Sequence, residues 1–184
     1  MTRLALYDDA SPFAAHGTIA EPEAIAARLA EAGVGFERWP AQPLGGVPDD
    51  SAILAAHAAD IERLKARGGY RSCDVARLTP DHPERDAMRA KFLAEHVHDD
   101  DEVRFFVEGS GMFYIRAGGQ ILALECVAGD LIVLPAGLRH WFDAGAHPRF
   151  TAIRLFSTPE GWVARFTGDP IAAAIPLYET KGAA

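Results

Sequence analysis

The chain has 184 residues, of which 49% are hydrophobic and 24% charged, a balance typical of a soluble globular protein with one domain and a substantial core. Its formal net charge of −8 argues against nucleic acid and acidic membrane surfaces as partners, because no basic patch can neutralise their phosphates. The N-terminus turns acidic too early for a signal peptide, and no apolar run approaches membrane-spanning length. We therefore expect a cytoplasmic protein in which Cys73 and Cys126 stay reduced.

The first 70 residues mix strand and helix patterns. The predicted elements are a strand over 4–7, a helix over 21–32, a strand over 34–39, a Pro- and Gly-rich loop over 40–50 and a helix over 51–67. Ile25 and Leu29 are four residues apart, which predicts an apolar stripe facing the core. Ser51 can cap the second helix. His57 lies within that helix and is expected to be a surface or half-buried residue.

From Tyr70 onward the pattern changes to short strands separated by turns that contain Gly or Asp. The predicted strands cover 72–78, 93–98, 102–108, 111–116, 120–127, 131–134, 140–142 and 150–156, with one short helix over 84–91. Short strands at a spacing of about ten residues are typical of an antiparallel sandwich or barrel. The sequence contains no internal repeat.

A cluster of polar residues stands out within this β-rich part. His96 and His98 are two residues apart, so on a strand both imidazoles leave the same face, and Glu102 is a further even step along. His140 follows a strand that ends in a Pro-x-Gly turn. A His-x-His pair alone is more often exposed to solvent than bound to a metal, and the acidic run 99–101 alone indicates an exposed turn. The joint pattern favours a metal centre of three His and one Glu inside a small β-barrel.

The two spacings, His-x-His-x3-Glu-x6-Gly and Gly-x5-Pro-x-Gly-x2-His, resemble the two motifs of the cupin superfamily, whose fold is a jelly-roll barrel. Longer strings narrow the resemblance to the acireductone dioxygenases of methionine salvage, over 75–169. These strings lie at 95–98, 101–105, 109–111, 135–137, 139–143, 149–156 and 159–163. Ala90 and Ala144 depart from the general cupin pattern, but neither stands at a ligand position.

The resemblance implies a mainly β fold with flanking helices, namely a cupin-type jelly-roll β-barrel with an N-terminal α/β elaboration. We expect a single domain over 1–184. Within it, 1–70 would form the elaboration, 71–158 the metal-binding barrel and 159–184 a C-terminal segment.

Four ligands of this kind, His96, His98, Glu102 and His140, leave two positions of an octahedron open. Those positions suit a bidentate oxygen substrate, or a substrate together with dioxygen. The absence of thiolate disfavours a structural zinc site, whereas imidazole with carboxylate accommodates Fe(II), Ni(II), Co(II) or Mn(II). The resemblance implies one Fe(II) or Ni(II) per chain, and the sequence leaves the choice between them open.

The resemblance also implies the reaction. The acireductone 1,2-dihydroxy-5-(methylthio)pent-1-en-3-one chelates the metal and is cleaved by O2. In this family the Fe(II) form yields formate and 4-methylthio-2-oxobutanoate, the keto acid precursor of methionine. The Ni(II) form yields 3-methylthiopropanoate, formate and carbon monoxide. The metal acts as an orienting Lewis acid, and the protein supplies binding, charge neutralisation and exclusion of water.

Two cations are expected beside the ligands. Arg104 lies two residues after Glu102 and shares the inward face of a continuous strand. A buried Arg must be paired. The spacing leaves open an ion pair with Glu95 or Asp101, or contact with the enediolate anion, and the resemblance favours the second. Arg154 either neutralises substrate charge or closes the barrel.

Aromatic side chains are expected to wall the site around a thioether. They are Phe92, Phe105, Phe142 and Trp162, although each of them, taken singly, is more often plain core. The resemblance places Glu95 and Asp101 with Arg104 among the catalytic residues, with roles in metal loading and in coupling the ligand loop to the site. Carboxylates beside ligands commonly fix the tautomer of a ligating His.

Two other functions fit the metal motif. Another cupin enzyme, such as a thiol or cyclic-diol dioxygenase or an isomerase, would explain the motif but not Arg104, Trp162 or the strings around Arg154. A sensor or storage cupin would bind metal without turnover, and two open metal positions count against it. We expect a monomer that takes a small enediol and O2 as its only partners.

Overall fold

A computed structural model describes residues 1–40, 42, 48–158 and 162–179. Three parts of the chain lie outside the described residues: most of the predicted loop over 40–50, residues 159–161 of the sequence match at 159–163, and residues 180–184. The elements are β1 (Arg3–Asp8), β2 (Gly17–Ile19), α1 (Pro22–Ala30), β3 (Gly35–Arg38), α2 (Asp50–Ala56), α3 (Ala58–Gly68), β4 (Ser72–Leu78), α4 (Arg85–Phe92), β5 (His96–Val97), β6 (Glu102–Ala117), β7 (Gln120–Val127), β8 (Asp130–Leu134), β9 (Arg139–Asp143), β10 (Arg149–Phe156), β11 (Arg165–Phe166) and a 3-10 helix (Pro170–Ala173).

Strand β6 joins the two halves of the barrel. Its first half pairs with β8 and β10, and its second half pairs with β7 and β9, antiparallel throughout. The N-terminal strands extend this framework, because β1 pairs with β7 and β3 pairs with β8. The mainly β architecture with an N-terminal α/β elaboration confirms the fold expected from the sequence.

The prediction of two separate strands over 102–108 and 111–116 was wrong, because β6 is one continuous strand of 16 residues. Two local features bend it. Val107 has no residue opposite it on β10, which makes a β-bulge. Gly109 then has φ of 74°, and a Cβ atom there would collide with the backbone of Arg149.

The bulge and the glycine change which side chains of β6 face the barrel interior. Before them the even-numbered Arg104 and Phe106 point inward, and after them the odd-numbered Phe113 and Ile115 do. The three phenylalanine and isoleucine side chains are fully buried in the main core cluster, where each contributes about 1.5–3 kcal/mol by burial. One strand can therefore build both the polar site and the apolar core.

The second N-terminal helix differs from its prediction. It is two helices, α2 and α3, broken at His57, and its N-cap is Asp49 rather than Ser51. The Asp49 carboxylate accepts a hydrogen bond of 2.8 Å from the backbone N–H of Ala52. No helix in the described part of the chain is long and apolar enough to cross a bilayer.

His57 is buried, with 1% of its surface exposed, so the prediction of a surface or half-buried residue was also wrong. Its ring packs edge-on against Phe105, with 4.9 Å between ring centroids. Neither ring nitrogen has a hydrogen-bond partner among the described residues. Burial therefore lowers the pKa of His57.

The C-terminal segment covers the outer face of the second half of β6. Tyr114 and Trp141 stack there, with 5.2 Å between ring centroids, and Ile171 and Ile175 pack in the same cluster. The Tyr114 hydroxyl donates a 2.9 Å hydrogen bond to the carbonyl of Pro176. The segment is thus attached to the barrel by both apolar and polar contacts.

Arg116, near the end of β6, ties three distant parts of the chain together. Its guanidinium contacts the carboxylates of Asp9, Glu95 and Asp169 at 3.2, 3.4 and 2.7 Å. The Glu95 side chain is fully buried and also accepts a 2.7 Å hydrogen bond from the Thr167 hydroxyl. Arg116 therefore holds the N-terminal loop, the approach to β5 and the C-terminal segment at one point.

The burial of His57 predicts a defined pH effect on stability. As the pH falls through about 6.5, the unfolded chain takes up a proton that the folded chain resists, so the free energy of unfolding decreases. His57→Phe should remove this loss and stabilise the protein by about 1 kcal/mol at neutral pH, because two unpaired nitrogens leave the core. Denaturant unfolding from acidic to neutral pH measures both effects. His147→Phe, at an exposed histidine, is the control. If the free energy of unfolding of His57→Phe still falls at acidic pH as it does in the unchanged protein, the buried His57 is not the cause.

The Arg116 contacts predict a second stability effect. Arg116→Gln leaves the buried Glu95 carboxylate without its cation and should lower the free energy of unfolding by about 2–4 kcal/mol. Arg165→Gln is the matched control, because the Arg165–Asp99 pair is exposed and contributes about 1 kcal/mol or less. Equal losses in the two variants would show that Arg116 is an ordinary surface charge.

Candidate metal centre

The structure brings the four predicted ligands, His96, His98, Glu102 and His140, into one buried group. One candidate ligand atom from each lies within 4.8 Å of all the others. Pairing between β5 and β9 sets His96 opposite His140, and the start of β6 supplies Glu102. Metal–ligand bonds of about 2.0–2.2 Å put opposite ligands about 4.2 Å apart, so the group is close to the size that a divalent ion needs.

The Glu102 carboxylate is the centre of this group. Its Oε2 lies 3.1 Å from Nε2 of His98 and 3.2 Å from Nε2 of His140. Its Oε1 accepts a 2.8 Å hydrogen bond from Nη2 of Arg104. Arg104 is thus paired with Glu102, and neither alternative partner expected from the spacing, Glu95 or Asp101, contacts it.

Backbone carbonyls fix the orientation of two of the imidazoles. The carbonyl of Ala94 lies 2.7 Å from Nδ1 of His96, and the carbonyl of Leu138 lies 2.8 Å from Nδ1 of His140. A carbonyl can only accept, so each Nδ1 carries the proton. The lone pair of each Nε2 is therefore free to point into the group, which is the arrangement seen in metal-ligating histidines.

The ionisation states of His96 and Glu102 suit a metal. Burial lowers the pKa of His96 to about 4, which keeps it neutral. Burial raises the pKa of Glu102, but the positive charge of Arg104 and the contacts with His140 and His98 outweigh burial and hold this pKa well below its usual value. Burial lowers the pKa of His98, but its contact with the Glu102 carboxylate outweighs burial and raises this pKa. Neutral imidazoles and an ionised carboxylate are the forms that bind metal. The donor set of three imidazole nitrogens and a carboxylate oxygen fits a divalent ion of the Fe(II), Ni(II), Co(II) or Mn(II) type.

A cavity of about 620 Å³ opens above the group. The buried Arg104 guanidinium forms part of its wall, with Cζ 4.6 Å from the centroid of Phe142 and 5.6 Å from that of Trp162. Phe92, on α4, also lines the cavity. Three of the four aromatic residues predicted to surround the site, Phe92, Phe142 and Trp162, therefore line the cavity.

Phe105 does not line the cavity, so the prediction that it does was wrong. It is the odd-numbered neighbour of Arg104 and leaves the opposite face of β6. There it packs on Trp39, with 4.7 Å between ring centroids, and on His57. The period of two that placed Glu102 and Arg104 inside also places Phe105 outside.

Glu95 and Asp101, predicted among the catalytic residues, do not line the cavity either. Glu95 is held by Arg116 and Thr167 behind His96. Asp101 accepts hydrogen bonds from the hydroxyl of Tyr70 at 3.1 Å and from the backbone N–H of Ala136 at 3.0 Å. Both carboxylates are thus placed to position the backbone that carries the ligands.

Arg154 does line the cavity and has a partner of its own. Its Nε and Nη2 donate hydrogen bonds of 2.8 and 2.6 Å to the two carboxylate oxygens of Asp74. Its Cζ lies 5.4 Å from the centroid of Trp162 and 5.2 Å from that of Phe156. The Trp162 ring therefore lies close to both Arg104 and Arg154, next to the site.

Several cavity residues were not identified from the sequence. They are Ala76, Arg77, Met88, Lys91, Phe150, Val163, Ala164 and Phe166. Met88, Lys91 and Phe92 have the i, i+3, i+4 spacing of one helix face, a signal that could have grouped them. Arg77 carried no such signal, because its place depends on the pairing of β4 with β10.

Comparisons with known proteins agree with this geometry. The model of the ARD/ARD′ family matches residues 3–164. An acireductone dioxygenase of Parvibaculum lavamentivorans is 53% identical over 182 residues, covering 98% of this chain and 99% of that protein. One from Marinobacter nauticus is 48% identical over 180 residues, with coverage of 98% and 97%.

A solved structure is also similar. It is the acireductone dioxygenase from Bacillus anthracis with a cadmium ion in the active centre. It shares 32% sequence identity and a TM-score of 0.79 with this chain, over 90% of this chain and 98% of that one. The family model, the relatives that align over nearly their whole length and this solved structure agree. The chain therefore belongs to the acireductone dioxygenase (ARD/ARD′) family, as its motifs predicted.

Proposed function

We propose that the protein is a dioxygenase that cleaves 1,2-dihydroxy-5-(methylthio)pent-1-en-3-one with O2. The observation that supports it most directly is the buried group of His96, His98, Glu102 and His140 beneath a cavity that also holds Arg104, in a chain of this family. These four side chains would hold one Fe(II) or Ni(II), which would supply a Lewis acid for the enediolate oxygens.

Arg104 is the residue that favours the ionised substrate. One of its nitrogens is paired with Glu102, whereas its Nε is buried with no partner in the described structure. A guanidinium carries five N–H donors, so the remaining donors can bind an enediolate oxygen. In a cavity walled by aromatic rings this charge acts with little screening, which lowers the free energy of the anion that must react with O2.

The rest of the cavity suits the methylthio end of the substrate. Met88, Phe92, Phe142 and Phe150 form apolar walls, and a thioether packs favourably against aromatic rings. Trp162, packed on Phe156 with 4.8 Å between ring centroids, covers the site and excludes water from it.

Further properties of the chain are part of the same proposal. With Fe(II) the products are formate and 4-methylthio-2-oxobutanoate, and with Ni(II) they are 3-methylthiopropanoate, formate and carbon monoxide, in methionine salvage. Cys73 and Cys126 are free thiols, which supports a cytoplasmic location. Residues 1–70 belong to the same domain as the barrel, a view supported by the pairing of β1 and β3 with barrel strands, and the protein acts as a monomer.

Metal-resolved turnover tests the function. The stripped protein is reloaded with Fe(II) or Ni(II), given the acireductone in air and analysed for keto acid, formate and carbon monoxide. Keto acid should come from the iron form and carbon monoxide from the nickel form. Glu102→Gln should lose the bound metal and turnover together, whereas Glu108→Gln, at an exposed carboxylate on the same strand, should retain both. Full metal loading without any substrate loss would contradict the proposal and indicate a different cupin.

The role of Arg104 has its own test. Arg104→Gln should lower kcat/KM by about 10²–10³-fold at neutral pH while the metal content is kept. Because the variant no longer favours the enediolate, its activity should recover as the pH rises, so the acid limb of its pH–rate profile moves to higher pH. Arg149→Gln, at an exposed cation on β10, is the control. An equal loss at every pH would show that Arg104 acts through packing and not through its charge.

A further inference from the structure

The charge lining the cavity is opposite to the charge of the whole chain. Four cations and one carboxylate line it, whereas the chain carries a formal net charge of −8. Three of the cations are arginines with a carboxylate partner each, namely Arg77 with Asp50 at 2.9 Å, Arg104 with Glu102 at 2.8 Å and Arg154 with Asp74 at 2.6 Å. The cavity thus offers a local positive potential inside an acidic protein.

Lys91 is the fourth cation, and it differs from the arginines in two ways. It is exposed, so it lies where the cavity meets solvent. It forms no ion pair with a carboxylate in the described parts of the chain. Met88 and Phe92 on the same helix line the cavity beside it, which places the ammonium group next to the apolar walls.

The helix that carries Lys91 is held firmly in place. Arg89, two residues earlier, donates hydrogen bonds of 2.7 and 3.0 Å to the two oxygens of the buried Asp143 carboxylate. Asp143 belongs to β9, the strand that also carries His140. The position of Lys91 relative to the metal centre is therefore set by the barrel.

We propose that Lys91 captures the substrate: its ammonium group attracts the anionic form of the enediol at the cavity mouth, from which the anion passes to Arg104. This inference rests on the proposed function. Arg77 and Arg154 are less suited to capture, because each would have to share or leave its carboxylate. Lys91 has no such partner to lose.

A structural role for Lys91 makes a different prediction. A cation in the last turn of a helix also interacts favourably with the helix dipole. Such a role would change the stability of the protein, but it would not make KM depend on ionic strength. The two roles can therefore be separated by kinetics.

The test compares Lys91→Gln with Lys65→Gln, which removes the same charge from α3, away from the cavity. At an ionic strength of about 0.01 M, where charges act over about 30 Å, Lys91→Gln should raise KM about fivefold and leave kcat unchanged. At about 1 M, where the Debye length is about 3 Å, the difference from the unchanged enzyme should disappear. Lys91→Arg should restore the low KM.

Each outcome decides one question. If the unchanged enzyme turns over the acireductone but Lys91→Gln and Lys65→Gln have the same KM at low ionic strength, the capture role is overturned and the proposed function stands. A raised KM that persists at high ionic strength also overturns it, because screening would have no effect. If no metal form of the unchanged enzyme consumes the acireductone, the proposed function fails and the capture role fails with it.

Discussion

The site and much of the fold depend on one buried charge, the Glu102 carboxylate at the first residue of β6. Withdrawing an ionised carboxylate from water is costly unless its oxygens find partners. One oxygen accepts from Arg104, and the other lies within hydrogen-bond distance of His98 and His140. Because these partners come from the loop before β6, from β6 itself and from β9, satisfying one carboxylate fixes three parts of the chain relative to one another.

Strand β6 connects that site to the rest of the barrel. Glu102 and Arg104 at its start are polar and buried, Phe113 and Ile115 in its second half fill the apolar core, and Arg116 near its end gathers carboxylates from three segments. The bulge and Gly109 allow one strand to contribute first to the polar site and then to the apolar core, since the inward-facing side chains change from even to odd positions there. Both polar ends are held by ion pairs, so the apolar middle of the strand is fixed between them.

The joint spacing of the two motifs predicted the ligands, although the strand expected over 93–98 is only His96–Val97 and a turn, not a continuous strand, joins His98 to Glu102. The period of two along a strand, applied to Phe105, would have placed it outside the cavity. The continuity of β6 could not be predicted in this way, because glycines at 109 and 111 are also typical of a turn, and only the partner strand β10 shows that the chain continues. Lys91 and Arg77 reach the cavity through long-range docking of α4 and β4, which no local pattern encodes. The burial of His57 likewise depends on the fit of two helices against the barrel.

The central claim is that His96, His98, Glu102 and His140 together hold one functional metal ion. Anomalous diffraction from crystals of the iron-loaded protein, measured above and below the iron absorption edge, tests it most directly. We expect one strong anomalous peak per chain, from an ion bonded to Nε2 of the three histidines and to a Glu102 oxygen. Its height should fall in Glu102→Gln crystals. A peak elsewhere in the chain, or no peak among these four side chains in protein that carries a full equivalent of iron, would contradict it.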